Sequence, residues 1–145
     1  MKSILSAVFV GLFSTIAQAQ AVTPPVLQGF IRQAVDTDLS EFKWTKRPVI
    51  VLAESADDPA FIEQMELIER HADDLVARDV VVIVDTDPAA RSDIRQKLRP
   101  RGFMLTLVGK DGGIKLRKPF PWDVREITRS IDKMPMRQRE IREAK

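Results

Sequence analysis

Two stretches decide the fold: Pro48-Val49-Ile50-Val51-Leu52-Ala53 and Asp79-Val80-Val81-Val82-Ile83-Val84-Asp85. Each carries an unbroken apolar run rich in β-branched residues. A strand with one wet face alternates polar and apolar residues; an unbroken run suits a parallel strand buried on both faces. Between the two, Asp58-Pro59 opens a helix. The aspartate is placed to cap free amide groups, and proline takes the first helical position, where no amide hydrogen is needed. Phe61, Met65, Ile68, Ala72 and Leu75 follow at helical spacing and make one apolar stripe. Strand, helix and strand form a βαβ unit with a right-handed crossover.

Working outward, Asp87-Pro88 repeats the helix start, and Ala90, Ile94 and Leu98 make a weaker stripe that ends before Pro100. Phe103 to Val108 reads as the third strand. Asp111-Gly112-Gly113 is a hairpin signal, and Ile114 to Arg117 alternates as an edge strand does. Val124, Ile127 and Ile131 mark a last helix, which Pro135 interrupts. Residues 41–135 thus form an α/β domain in the order β-α-β-α-β-β-α. That order predicts a four-stranded mixed sheet with helices on both faces, the thioredoxin-like arrangement. A flavodoxin-like sheet is the competing reading, but an all-parallel sheet needs crossovers and has no place for a hairpin. Residues 136–145 are charged, with Ile141 as the one large apolar side chain after Met136, and read as a solvated or fraying tail.

Before the domain, Met1-Lys2-Ser3 supplies a positive charge, and Ile4 to Ile16 is almost wholly apolar. Ala17-Gln18-Ala19 then offers small residues at the positions a signal peptidase requires. Residues 1–19 are expected to be a signal peptide cleaved after Ala19, with Ala21 as the alternative. The apolar run is shorter than the ~20 residues needed to span a bilayer, and no cysteine follows it to carry a lipid. The expected product is periplasmic or secreted, with no transmembrane segment in the mature chain. Residues 20–40, with Pro24-Pro25, read as a linker with a short helix near Leu27–Val35.

Composition narrows the chemistry. The chain of 145 residues, 44% of them apolar, suffices for one domain with a real core. With no cysteine, thiol-disulfide exchange, thiol peroxidase chemistry, disulfides and thiolate-bound zinc are all excluded. The net charge of +2 conceals an asymmetry: residues 20–90 carry a net −8 and residues 91–145 a net +9. In the expected strand order the two halves lie on opposite flanks of the sheet, a dipole suited to a protein partner or to self-association.

Three segments carry a family resemblance: Ser55-Ala56-Asp57-Asp58-Pro59, Val108-Gly109-Lys110-Asp111-Gly112-Gly113-Ile114-Lys115-Leu116-Arg117 and Ile131-Asp132-Lys133-Met134-Pro135-Met136-Arg137-Gln138. Together they resemble an exported bacterial family known only as domain of unknown function 4174. Similar domains occur in vertebrate extracellular proteins such as Equarin and the sushi-repeat proteins. Leu39-Ser40-Glu41-Phe42-Lys43-Trp44 is also similar to the approach to a peroxiredoxin's first strand. The resemblance implies a thioredoxin-like fold and an exported setting, and it transfers no catalytic residue. Where redox thioredoxins place a reactive cysteine at a helix N-terminus, this chain has Ser55 to Asp58. A serine hydroxyl is too weakly acidic to replace a thiolate without a base.

Two candidate sites remain. Ligands of α/β sheets bind at the carboxyl ends of parallel strands, where Ser55, Asp57, Asp58 and Asp85 gather, with Glu54 and Asp87 beside them. This carboxylate edge suits a divalent cation, although Asp58 and Asp87 are also explained as helix caps and no EF-hand spacing is present. No metal, cofactor or catalytic residue is assigned. His71 lies some 20 Å or more along the helix from Ser55 at ~1.5 Å per residue, too far to serve it as a base. The second candidate lies among the cations between Arg95 and Arg142. Arg99, Arg101, Lys110, Lys115, Arg117 and Arg137 form a candidate partner surface for a protein or an anionic envelope component. Nucleic acid is disfavoured, because no aromatics are interleaved with these cations. The expected function is an exported, non-redox binding or adaptor module. The alternative is a cation-dependent protein or enzyme that uses the carboxylate edge.

Overall fold

A computed structural model describes residues 29–145, so the expected signal peptide and most of the expected linker lie outside the described residues. Five strands form one sheet: β1 (Ile31–Gln33), β2 (Arg47–Leu52), β3 (Val80–Asp85), β4 (Met104–Val108) and β5 (Ile114–Lys118). Their order across the sheet is β1-β3-β2-β4-β5. β1 and β2 run parallel to β3, while β4 runs antiparallel to both β2 and β5. The apolar runs are therefore central, and both are buried along their whole length.

The strand count corrects the expected four. The fifth strand comes from the segment read as a linker, and Ala34–Asp36 continues it as a short 3-10 turn in place of the expected helix. Ile31-Arg32-Gln33 is too short and too polar to show a strand period. It holds its place through parallel pairing to Val82, Ile83 and Val84.

Among the described residues five α-helices accompany the sheet: α1 (Pro59–Arg70), α2 (Ala72–Val76), α3 (Asp93–Leu98), α4 (Val124–Asp132) and α5 (Pro135–Glu143). Pleating sends alternate residues of β2 to opposite faces. On one face Val49, Val51 and Ala53 join Val80, Val82, Val84, Leu105 and Leu107, packing with Ile68 of α1, Leu75 of α2, and Ile127 and Ile131 of α4. On the other, Ile50 and Leu52 join Val81 and Ile83 beneath Ile94 and Leu98 of α3 and Phe42. The stripe predicted from Phe61 to Leu75 is broken once, at His71, where α1 ends and α2 starts. Both parts keep their apolar side on the sheet.

The second predicted stripe splits more sharply. Pro88–Ala90 is an isolated 3-10 turn, Arg91 is left-handed, and α3 restarts on its own cap, with the Ser92 Oγ accepting from the Arg95 amide at 3.1 Å. In the β4–β5 turn Gly112 takes φ +81, a value at which a side chain is strained. At the C-terminus Pro135 opens α5 where the sequence suggested an interruption, and this helix is docked through side-chain ion pairs.

Candidate functional site

At the carboxyl ends of β2 and β3 the acidic residues are engaged locally. The Ser55 Oγ accepts from the Asp57 amide at 3.0 Å, closing the turn after β2. Asp58 caps α1 by accepting from the Ala60 amide at 2.9 Å, and Asp87 caps the next turn by accepting from the Ala89 amide at 3.1 Å. Asp85 is buried at 6% exposure. Its carboxylate accepts from the Ser92 hydroxyl at 2.5 Å, from the Arg95 guanidinium at 3.0 Å and from the Asp87 amide at 3.1 Å. The same Arg95 nitrogen donates to the Ala53 carbonyl at 2.7 Å, so one buried cation ties together the ends of both central strands. Burial raises the pKa of Asp85, but the donors Arg95 and Ser92 outweigh it and hold the carboxyl below its ordinary value. Glu54 reaches Arg95 at 3.9 Å.

Of the four residues expected at this edge, the structure thus gives Asp85 to Arg95, Asp58 to a helix cap and Ser55 to a turn, and leaves Asp57 exposed. Among the described residues no group of three or more histidine, aspartate or glutamate side chains is arranged to hold a metal ion. His71 sits at the far end of α1, facing Asp74 at 3.7 Å.

The six cations of the candidate partner surface separate into groups, because β4 runs between them. Lys110, at the carboxyl end of β4, belongs to an ion network with Arg137. Arg47 is its centre, with 1% of its side chain exposed. It holds Glu140 of α5 through two hydrogen bonds of 3.0 and 3.2 Å and also donates to the Arg78 carbonyl at 2.9 Å. Lys110 bridges Glu140 at 2.7 Å and Asp79 at 2.8 Å. Arg78 grips Asp132 of α4 through two bonds of 2.9 Å, and Arg137 reaches both Asp132 and Glu140. Burial raises the pKa of Glu140, yet its bonds to Arg47 and Lys110 pull it down to about 2. Lys115 pairs within the hairpin with Asp111 at 2.9 Å.

Arg99, Arg101 and Arg117 meet at the opposite end of β4. A shallow, mostly apolar pocket of about 330 Å³ lies there, lined also by Phe103, Met104, Lys118 and Pro119; Arg117 donates to the Leu98 carbonyl on one face of β5, while Lys118 lies over the Trp122 ring on the other. Among the described residues no carboxylate lines this pocket. The linear separation of charge is therefore bridged in three dimensions, with Lys110 on Asp79, Arg78 on Asp132 and Arg95 on Asp85. Among the described residues Arg99, Arg101 and Arg117 form no ion pair.

Three structural residues were not legible beforehand. Arg47 interrupts nothing in the pattern of β2, although a charge abutting Pro48 in a buried run is itself a signal. Glu140 sits in a segment that reads as solvent-facing. Gln64 is fully buried on α1, where its amide donates to the Trp122 carbonyl at 3.0 Å and accepts from the Trp122 amide at 2.7 Å.

A mixed sheet with a parallel βαβ core, an antiparallel hairpin and helices on both faces is a thioredoxin-like fold. Solved structures of similar shape include the reduced 2-Cys peroxiredoxin of Plasmodium vivax, with a TM-score of 0.57, 12% identity, and coverage of 71% of this chain and 85% of that one. Thioredoxin peroxidase I of Plasmodium yoelii is similar with a TM-score of 0.53, 15% identity, and coverage of 71% and 80%. At these identities the likeness is one of fold. The chain belongs to the family described as Domain of unknown function (DUF4174), which matches residues 38–140. A curated relative, coiled-coil domain-containing protein 80 of Danio rerio, is 28% identical over 139 aligned residues. The match covers 75% of this chain and 16% of that protein's length.

Proposed function

We propose that this protein is an exported binding or adaptor module of the cell envelope that uses a thioredoxin-like scaffold without redox chemistry. One observation carries the reading: at the turn from β2 into α1 the chain has no thiol, and Ser55 and Asp58 spend their oxygens closing the turn and capping the helix. A scaffold whose usual reactive position is occupied by structural caps has binding surface left to offer. The signal-peptide pattern of residues 1–19 supports export, and among the described residues no helix is long and apolar enough to cross a membrane. The contact surface in this reading is the cationic end of the sheet at Arg99, Arg101 and Arg117, facing a protein partner or an anionic envelope component.

Crosslinking in intact producing cells, read by mass spectrometry, tests the reading. The expected result is a discrete set of envelope partners whose crosslinks map to the cationic end. Turnover of peroxide or reduction of a protein disulfide by the purified protein would overturn it. The carboxylate edge is a weaker second reading, since Asp85 is already neutralised by Arg95.

A further inference from the structure

β5 is the last strand of the sheet, and β4 is its one partner there. Alternate residues of an edge strand turn their amide and carbonyl groups outward, where water or another strand must meet them. Among the described residues no backbone group of another element bonds to Ile114–Lys118 beyond the pairing with β4. The opposite edge, β1, has three residues, whereas β5 has five and ends at Pro119. A very short edge is blunted against pairing, while five residues make a strand of ordinary length that can seat a partner.

Concavities flank this edge on both faces of the sheet. The register with β4 slips by one at Lys115, so Ile114 stands opposite Val108 and Leu116 opposite Leu107. On the α3 side Ile114 is 42% exposed and lines a cavity of about 700 Å³ with Phe42, Ile94 and Val108. On the α4 side Lys115 and Leu116 line a cavity of about 520 Å³ with Met134 and Met136. Arg117 returns to the α3 side, where it donates to the Leu98 carbonyl at 3.0 Å, and Lys118 lies over the Trp122 ring on the other. An added strand therefore meets an apolar recess and a cation on each face. In strand addition the main-chain bonds supply affinity, and recesses for alternate side chains supply selectivity.

We infer that β5 takes up an extended acidic segment of a protein partner as a further strand of the sheet. Charge chooses this occupant over a second copy of the chain. Residues 109–119 carry four cations, Lys110, Lys115, Arg117 and Lys118, and one carboxylate, Asp111, which is already tied to Lys115 at 2.9 Å. A second copy paired antiparallel about Leu116 would set Lys115 against Arg117 twice, and like charges directly opposite are destabilising. Glutamate or aspartate at those places forms favourable cross-strand pairs instead, and apolar residues between them enter the recesses at Ile114 and Leu116. The inference rests on reading the domain as a binding module and names the mode of binding and the charge of the partner.

Fluorescence anisotropy of a dye-labelled eight-residue peptide of alternating glutamate and valine, titrated with the purified protein, tests it. Binding is expected to be saturable and to slow hydrogen exchange of the amides in residues 114–118. The same peptide methylated at every backbone nitrogen keeps its charge and loses its donors, and is expected to bind at least tenfold more weakly. Lys115→Ala with Lys118→Ala is expected to weaken binding at least fivefold without lowering the melting temperature. Arg70→Ala with Arg91→Ala, which removes as much charge from exposed positions elsewhere, is expected to leave it unchanged. Equal binding of the methylated peptide, an equal loss in both double variants, or no peptide binding overturns the inference. A dimer in sedimentation velocity whose amides in residues 114–118 are protected without peptide gives the edge to a second copy and overturns it as well. Such a failure leaves crosslinked partners intact, whereas redox turnover removes the binding-module reading itself.

Discussion

Gln64 shows how much one side chain can hold in this fold. It is a polar residue on the buried side of α1, and its two hydrogen bonds to Trp122 satisfy a backbone donor and acceptor at once. They join α1 to the loop leading into α4. Replacing it with alanine leaves a buried amide and carbonyl unpaired, which costs about 1–3 kcal/mol per orphaned group. Urea denaturation of Gln64→Ala is expected to show a loss of about 2–4 kcal/mol with the slope unchanged, the upper part of the range if no water enters. Arg95 acts similarly at the ends of β2 and β3, where Asp85 and the Ala53 carbonyl share its guanidinium. Periodicity marks Ile94 and Leu98 on either side of Arg95 but says nothing of the charge between them.

At the scale of elements, α5 is the departure that matters most. Its composition is that of a solvent-facing helix, and none of its residues is fully buried. It docks because Glu140 closes over Arg47, whose guanidinium is otherwise sealed at the base of β2. Breaking a buried pair by removing one partner leaves an uncompensated charge and costs about 3–5 kcal/mol. Truncation after Met134 is therefore expected to lower the thermal midpoint by roughly 10 °C or more, taking about 4–8 °C per kcal/mol with some water reaching the exposed Arg47. A freely fraying tail would leave the midpoint unchanged. Differential scanning calorimetry of the truncated and full chains separates the two outcomes.

For the whole molecule, the lowered carboxyl pKa values of Glu140, Asp132 and Asp85 all act in one direction. A carboxyl depressed in the folded state stabilises the fold above its unfolded pKa and loses that contribution as pH falls through the folded value. For Glu140 the window runs from its ordinary 4.5 down to about 2. Its contribution is about 1–2 kcal/mol once solvent screening of a side chain still 26% exposed is allowed for. Melting temperatures measured from pH 5 to pH 2 are expected to fall steeply, and Glu140→Gln should be less stable at pH 5 and flatter across the window. A variant with the same slope as the parent would remove Glu140 from the acid response.

The sequence by itself determined the central strands, the βαβ unit, the hairpin, the helix start at Asp58-Pro59, and the absence of cysteine. These follow from local rules: burial on both faces writes a continuous apolar run, and a capped helix needs its signal within a few residues. Only the tertiary structure decided the rest. The edge strand at Ile31–Gln33 exists because β3 offers it a parallel partner. α5 exists as a docked helix because Arg47, 93 residues away, needs Glu140. The cationic set divides because five residues of β4 separate Arg101 from Lys110 and carry them to opposite ends of the sheet. Pairing between distant charges leaves no periodic mark on a chain, because its partners are chosen by the fold and not by their spacing.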